Sequence, residues 1–347
     1  MIRYLLFSGA LLVMMFSLLS CEDSMIPSGD RVCGSMNIDG SNFSPRNNSL
    51  WTTTWGRAFY ISDEMVFHLS TKLYKRSMTS NGVKQLIPDS LMISDERYME
   101  IDKVNQLLYF SANGDIYRVS FGGTGLTNLS PENTGTFIAP RLSSCGNYLT
   151  AIKEEKVFRL ELGTGIWLEL PDITRVLHAV YIGESDEYYL WIYTELSYEH
   201  WTSLYVLRPG VDSPEFILEV MGPDKYSPML FGISHDYRYL AAKHHPSSYG
   251  GQYPKPLKIY DRESNTQIHI ENCFSFAFSP AGHQLLYSRR KHDLADINLM
   301  NLATGDHTML WDGILGTGSF SCVIDEFYWK HDATRFFYAG CICFRRR

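Results

Sequence analysis

Apolar residues in this chain come in short runs that alternate with polar positions and stop at polar turns, a period of two that predicts strands. One nine-residue pattern recurs: a short lead-in, a polar turn, then an apolar strand carrying aromatics. Its copies are Phe59 to Phe67, Ile101 to Tyr109, Ser143 to Ala151, Gly183 to Trp191, Ser234 to Ala242, Ser279 to Tyr287 and Lys330 to Tyr338. Successive starts differ by 42, 42, 40, 51, 45 and 51 residues. A period of about 40–50 residues built from strand-like units is the mark of radially repeated sheets, a β-propeller.

A second pattern falls between the copies: an alternating strand, a turn with Gly or Asn, and another short strand. Asp115 to Leu129 and Val157 to Gly165 are examples, with comparable units near Leu73, Leu204, Leu257 and Ile297. These read as hairpins. The seventh first-type hairpin is followed by only nine residues, too few for its partner. Val32 to Phe43 supplies a strand, an Asp-Gly turn and a strand at the other end of the chain. The expectation is therefore an all-β, seven-bladed β-propeller of four-stranded blades, closed by its N-terminal hairpin against the C-terminal one. Six blades is the alternative if the degenerate copy at Phe59 is set aside.

Composition agrees with many short strands. Of 347 residues, 22 are Tyr, 19 Phe and 7 Trp, with 26 Gly and 14 Pro for turns. The formal charge of −7 argues against a general nucleic-acid binder.

The first residues change the picture more. Met1-Ile2-Arg3 is a short basic start, Tyr4 through Phe16 an apolar run, and Leu18-Leu19-Ser20-Cys21 closes the segment. The run is short for a spanning helix and reads as a secretory signal over residues 1–20. Its end resembles the lipobox of bacterial lipoproteins, which implies acylation of Cys21 and lipid anchoring to a membrane of the bacterial envelope. Residues 21–30, with Pro27-Ser28-Gly29, fit a tether ahead of a propeller over 31–347. Export permits disulfides among the six remaining cysteines. A bridge from Cys33 to Cys341 or Cys343 would brace the closing seam.

The repeats resemble the TolB-like family of propellers. Phe278-Ser279-Pro280-Ala281-Gly282 matches that family's strand and turn, and Ile116-Tyr117-Arg118 with Gly122 to Thr127 matches its second hairpin. The resemblance implies a propeller with envelope partners. A family of seven-bladed oligogalacturonate lyases is also similar in architecture and binds a metal through channel histidines, but none of its ligands aligns with a residue here.

Candidate chemistry is sparse. No GxSxG, GxxxxGK[ST], HExxH or EF-hand loop occurs. No catalytic residue, metal site or cofactor is expected. Connection lengths give better guidance. The loop joining the two hairpins of a blade is a few residues at Ser111 to Gly114 and Ile152 to Lys156. It lengthens to Tyr193–Trp201, Lys243–Pro256 and Ser288–Ala295 in three consecutive blades. Long loops are often functional, and these hold residue types favoured at binding hot spots. The candidates are Tyr193, Tyr198, His200, Trp201, His244, His245, Tyr249, Arg289, Arg290 and His292, with His200 and His292 at equivalent places in neighbouring blades. The bland alternative is variable, solvated loops. The expected function is a monomeric, non-enzymatic binding or scaffold propeller for an envelope protein or glycan. The competing class is a propeller enzyme acting on polysaccharide, lyase-like and metal-dependent.

Overall fold

The computed structural model describes residues 31–37, 44–46, 58–61, 64–69, 71–77, 83–93, 99–131, 135–170, 173–196, 199–221, 229–244, 255–291, 294–311, 323–329 and 335–341. Every regular element among them is a strand. The chain enters with β1 (Arg31–Asn37) and β2 (Ser44–Arg46). Three four-stranded antiparallel sheets follow in chain order. The first has β3 (Ala58–Ile61), β4 (Glu64–Leu69), β5 (Lys72–Ser77) and β6 (Val83–Gln85). The second has β7 (Glu100–Asp102), β8 (Leu107–Ala112), β9 (Asp115–Ser120) and β10 (Thr127–Asn128). The third has β11 (Phe137–Leu142), β12 (Tyr148–Lys153), β13 (Lys156–Glu161) and β14 (Ile166–Glu169).

A fourth such sheet comprises β15 (Val176–Ile182), β16 (Glu187–Leu196), β17 (Glu199–Leu207) and β18 (Glu215–Met221). Then come β19 (Met229–Ile233), β20 (Tyr239–His244), β21 (Lys255–Asp261) and β22 (Thr266–Phe278). They continue into β23 (Gln284–Lys291), β24 (Leu294–Asn301) and β25 (His307–Trp311) as one seven-stranded sheet. The last strands, β26 (Val323–Trp329) and β27 (Arg335–Cys341), join β1 and β2 in the order β2-β1-β27-β26.

The nine-residue repeats coincide with the turns between first and second strands, and the second-type hairpins with third and fourth strands. The sequence pattern leads to this because alternate residues of one strand enter different cores. In β15, Val176, Ala179 and Tyr181 pack with Ala139, Ile152 and Leu190 toward the preceding sheet. Val180 and Ile182 of the same strand pack with Trp191, Leu204, Phe231 and Leu240 toward the following one. A strand buried on both faces keeps its period of two while reading as nearly continuous apolar sequence. The hydrophobic core is thus a series of inter-sheet layers. The first strands of successive sheets touch: β7 with β11, β11 with β15, β19 with β22, β22 with β26, and β26 with β3.

Two expectations need correction here. The closing strands do pair, with Cys33 opposite Ala339, Gly34 opposite Tyr338 and Asn37 opposite Arg335. The outer partner of β1, β2, pairs from Ser44, opposite Ser35, to Arg46, opposite Cys33, and residues 38–43 lie outside the described residues. The register of β1 on β27 also separates the proposed disulfide partners. Cys341 lies opposite Arg31, so Cys33 and Cys341 are diagonal neighbours, at about 7–8 Å, beyond the usual reach of a bridge. Cys343 lies outside the described residues. Second, no turn divides the fifth and sixth repeats. β22 pairs with β21 from Thr266 to Ile270 and again at Cys273, opposite Lys255 beyond a bulge, and with β23 from Cys273 to Phe278; Asn272, inside that irregularity, has a left-handed φ of 56°.

Candidate functional site

Two of the three long connections are mostly strand. In the first, the β16–β17 ladder runs on through Tyr193↔Thr202, Thr194↔Trp201, Glu195↔His200 and Leu196↔Glu199. The flanking strands stop earlier, β15 at Ile192 and β18 at Thr202. Among the described residues, the ladder from Thr194 onward is a two-stranded ribbon without a flanking strand. The third connection repeats the device: Arg290↔Ala295 and Lys291↔Leu294 pair beyond the last contacts of β22 with Arg289 and of β25 with Ile297. The loop reading of both segments is therefore corrected. Polar residues interrupt the apolar alternation there, but ladder hydrogen bonds are made by backbone and continue without it.

The other connections end flush. Asn113 and Gly114 close β8–β9, and Glu154 and Glu155 close β12–β13; all four have positive φ, as the tightest hairpin turn requires. Residues 245–254, in the middle connection, lie outside the described residues.

The candidates do not converge on one patch within what is described. Tyr193 is half-buried and donates its hydroxyl to Glu155 Oε1, while its amide reaches Arg175 O at 3.0 Å. It pins the base of the first ribbon to the neighbouring sheet. Arg289 faces a different feature, the cleft described below. His200, Trp201, His244 and Arg290 have their backbone in strands. Tyr198, His245, Tyr249 and His292 lie outside the described residues, as do the signal segment, the tether and Cys21. His200 and His292 are not in neighbouring units, since β19 to β21 intervene.

Sequence reasoning missed two polar constellations. The first lies on consecutive first strands. Arg141 Nη1 donates to Glu100 Oε2 at 2.7 Å, and its Nε donates to His178 Nε2 at 2.7 Å. His178 is fully buried, stacked on Phe231 with ring centroids 4.8 Å apart and 5.2 Å from Trp191. A β-bulge precedes both Arg141 and His178, and bulges re-aim the next side chain. Across from β11, the Tyr237 hydroxyl reaches the carbonyls of Leu142 and Ser143, each at 3.2 Å. Burial first, then the nearby Glu100 charge, raises the Tyr237 pKa and keeps it a hydrogen-bond donor.

The second is a cleft of about 430 Å³ at the irregularity of β22 around Asn272. Its buried part is Ile270, Tyr287 and Asp296. Tyr287 Oη and His307 Nδ1 lie 2.8 Å apart. Asp296 accepts from the Arg289 amide at 3.1 Å, the Arg289 guanidinium at 3.3 Å and Asn298 Nδ2 at 2.7 Å. The Arg289 guanidinium sits 5.6 Å from the Tyr287 ring centroid. Burial pushes the Tyr287 hydroxyl up to about 12 and does the same to the Cys273 thiol behind it. His269, Glu271 and Asn272 form the exposed rim. A signal for that rim exists in the sequence: Gln267, His269 and Glu271 alternate with Ile268 and Ile270.

No family model matches the chain, and no curated protein does. Among solved structures it is similar to an oligogalacturonate lyase in complex with manganese. The TM-score is 0.56 at 10% identity, covering 84% of this chain and 90% of that one. It is also similar to a putative TolB from Agrobacterium tumefaciens, with a TM-score of 0.49 at 13% identity over 90% of this chain and 99% of that one. A TolB from Acinetobacter baumannii gives 0.44 at 12% identity, over 90% of this chain and 64% of that one. The likeness to the lyase shows the fold, a β-propeller, and at this identity it shows the fold alone.

Proposed function

We propose that the protein is a bacterial envelope lipoprotein, anchored through Cys21, whose propeller acts as a non-enzymatic binding or scaffold module for a protein or glycan partner. The lipobox-like Leu18 to Cys21 supports the address. Counting β22 once with β21 and once with β23 gives seven four-stranded units, and the contact of β26 with β3 fits a closed ring of seven.

The observation that carries the reading is the pair of ribbons. A strand pair that leaves its sheet buries little and adds no edge protection, so its length is better explained by what it meets outside. The ribbons belong to the units before and after the one built from β19 to β22. The buried Glu100–Arg141–His178 constellation supports a binding module over an enzyme. His178 Nε2 already accepts from Arg141 and its ring is covered by Phe231, which leaves it no access to a substrate proton.

The test is affinity capture from envelope fractions of the native host, comparing the intact chain with Trp201→Ala and Arg290→Ala. Recovery of one partner by the intact chain and its loss by both variants, at unchanged melting temperature, is the expected result. Equal recovery by both variants would remove the ribbons from the site. Metabolic labelling with a fatty-acid analogue tests the anchor: Cys21→Ala should lose all label.

A further inference from the structure

We infer that the cleft at the bulge of β22 is a binding site for a neutral saccharide, separate from the partner face proposed above. Three observations carry it. The first is construction. A carboxylate and a phenol are buried at the cleft, at 2% and 0% exposure, and each has its partners within β23 to β25. Asp296 is fixed by Arg289 and Asn298, and Tyr287 by His307. Buried polar side chains cost free energy unless satisfied, so a fully wired floor beneath an open cleft is a built feature. Its volume of about 430 Å³ lies within the range of small-ligand sites.

The second is charge. Asp296 matches Arg289 with an ion pair of 3.3 Å, which leaves Glu271 as the unmatched charge of the lining. The cleft therefore repels an anion, and a cation would meet the guanidinium of Arg289 in the same space. The third is hydrogen-bonding type. Carboxylate accepts, guanidinium donates, and the amide of Asn272 and the rings of His269 and His307 can do either. With Asp296 and Tyr287 already satisfied, the groups open to a ligand are those of His269, Glu271, Asn272 and Arg289, which donate and accept at closely spaced points, as the hydroxyls of a sugar do. Ile270 is the one aliphatic residue of the lining, too little for a lipid or an aromatic ligand. The opening lies at the irregularity of β22 around Asn272, where the ladder with β21 is interrupted between Ile270 and Cys273 and the ladder with β23 begins.

The experiment is ligand-observed saturation-transfer NMR on the intact chain with maltose, cellobiose and diacetylchitobiose, and with digalacturonate as the anionic control. Titration of any sugar that responds gives its affinity. At least one neutral disaccharide should bind in the millimolar range or tighter, and digalacturonate should not. Glu271→Ala and His269→Ala alter exposed residues and should keep the melting temperature while weakening the sugar at least about tenfold. Asp296→Asn, read alongside its melting curve, tests the buried wall by the same titration. The inference fails if no neutral disaccharide responds, if only digalacturonate does, or if both rim variants bind like the parent chain. The assay uses free sugars and no envelope partner, so its failure leaves the ribbon reading standing, and the reverse.

Discussion

Replacing Arg141 by methionine tests whether the constellation on the first strands is an energetic tie between sheets. The side chain is 6% exposed and its two charged hydrogen bonds, both 2.7 Å, reach β7 and β15 from β11. Hydrogen bonds to charged groups contribute about 1.5–3 kcal/mol each. Removing one partner of a buried ion pair costs about 3–5 kcal/mol, because the remaining charge is stranded. Glu100 keeps 19% exposure and can recover some water, which points to the lower end, about 3 kcal/mol. Glu100→Gln preserves an acceptor but leaves the Arg141 charge uncompensated, and should cost about 2 kcal/mol. The double variant should be less damaged than the sum by about 1–2 kcal/mol, since the stranded charge is gone. Urea unfolding followed by tryptophan fluorescence, at constant slope, measures all three. An Arg141→Met loss within about 0.5 kcal/mol, or strict additivity of the pair, would refute the reasoning.

Three further outcomes follow from the packing. Burial raises the Asp261 pKa, but hydrogen bonds from Arg238, Ser264 and the Glu263 amide outweigh it and hold the carboxyl at about 2 against an ordinary 3.8. Its contribution is complete above the unfolded value and lost as pH falls toward the folded one, so Asp261→Asn should cost about 2 kcal/mol at neutral pH and flatten the acid limb of stability between about pH 4 and 2. An unchanged acid limb contradicts this. Gly232→Ala would put a Cβ 2.5 Å from Phe276 Cε2, where β19 meets β22. Thermal unfolding should register a loss of about 1–3 kcal/mol, and a neutral result would contradict that close approach. Deleting residues 31–45 should lower the melting temperature of the whole chain, because it strips two strands from the sheet of β26 and β27; an unchanged melt would contradict the seam.

The fold was legible where local signals and burial agree. A turn such as Pro280-Ala281-Gly282 between two apolar runs marks a first hairpin wherever it occurs, and six of the seven copies follow one another without help from tertiary context. The closing strand was legible for a different reason: the last hairpin lacked a partner and Val32 to Phe43 lacked a sheet. What escaped depends on geometry that alternation does not encode. A bulge shifts Arg141 and His178 by one position, so their burial contradicts their polar character in the sequence. Thr194, Glu195 and His200 read as loop because a ribbon outside the core needs no apolar face. The cleft residues come from four strands and no local motif joins His269 to His307. β22 crosses from one partner to the next without a turn, so nothing in Asn272-Cys273 marks a boundary.

The pairing of β1 with β27 is the claim on which the fold and its presentation rest, and Ala339→Cys tests it most directly. Cys33 and Ala339 are directly opposite in the ladder. Opposed residues of an antiparallel pair have Cα atoms about 4.5–5.5 Å apart, within the span of a disulfide. Under mild oxidation the variant should form a bridge between residues 33 and 339, mapped by mass spectrometry of unreduced peptides, with strand content unchanged by circular dichroism. Cys33 remaining free, or bridging Cys341 in its place, would show that the register is wrong and that the N-terminal strands do not complete the last sheet.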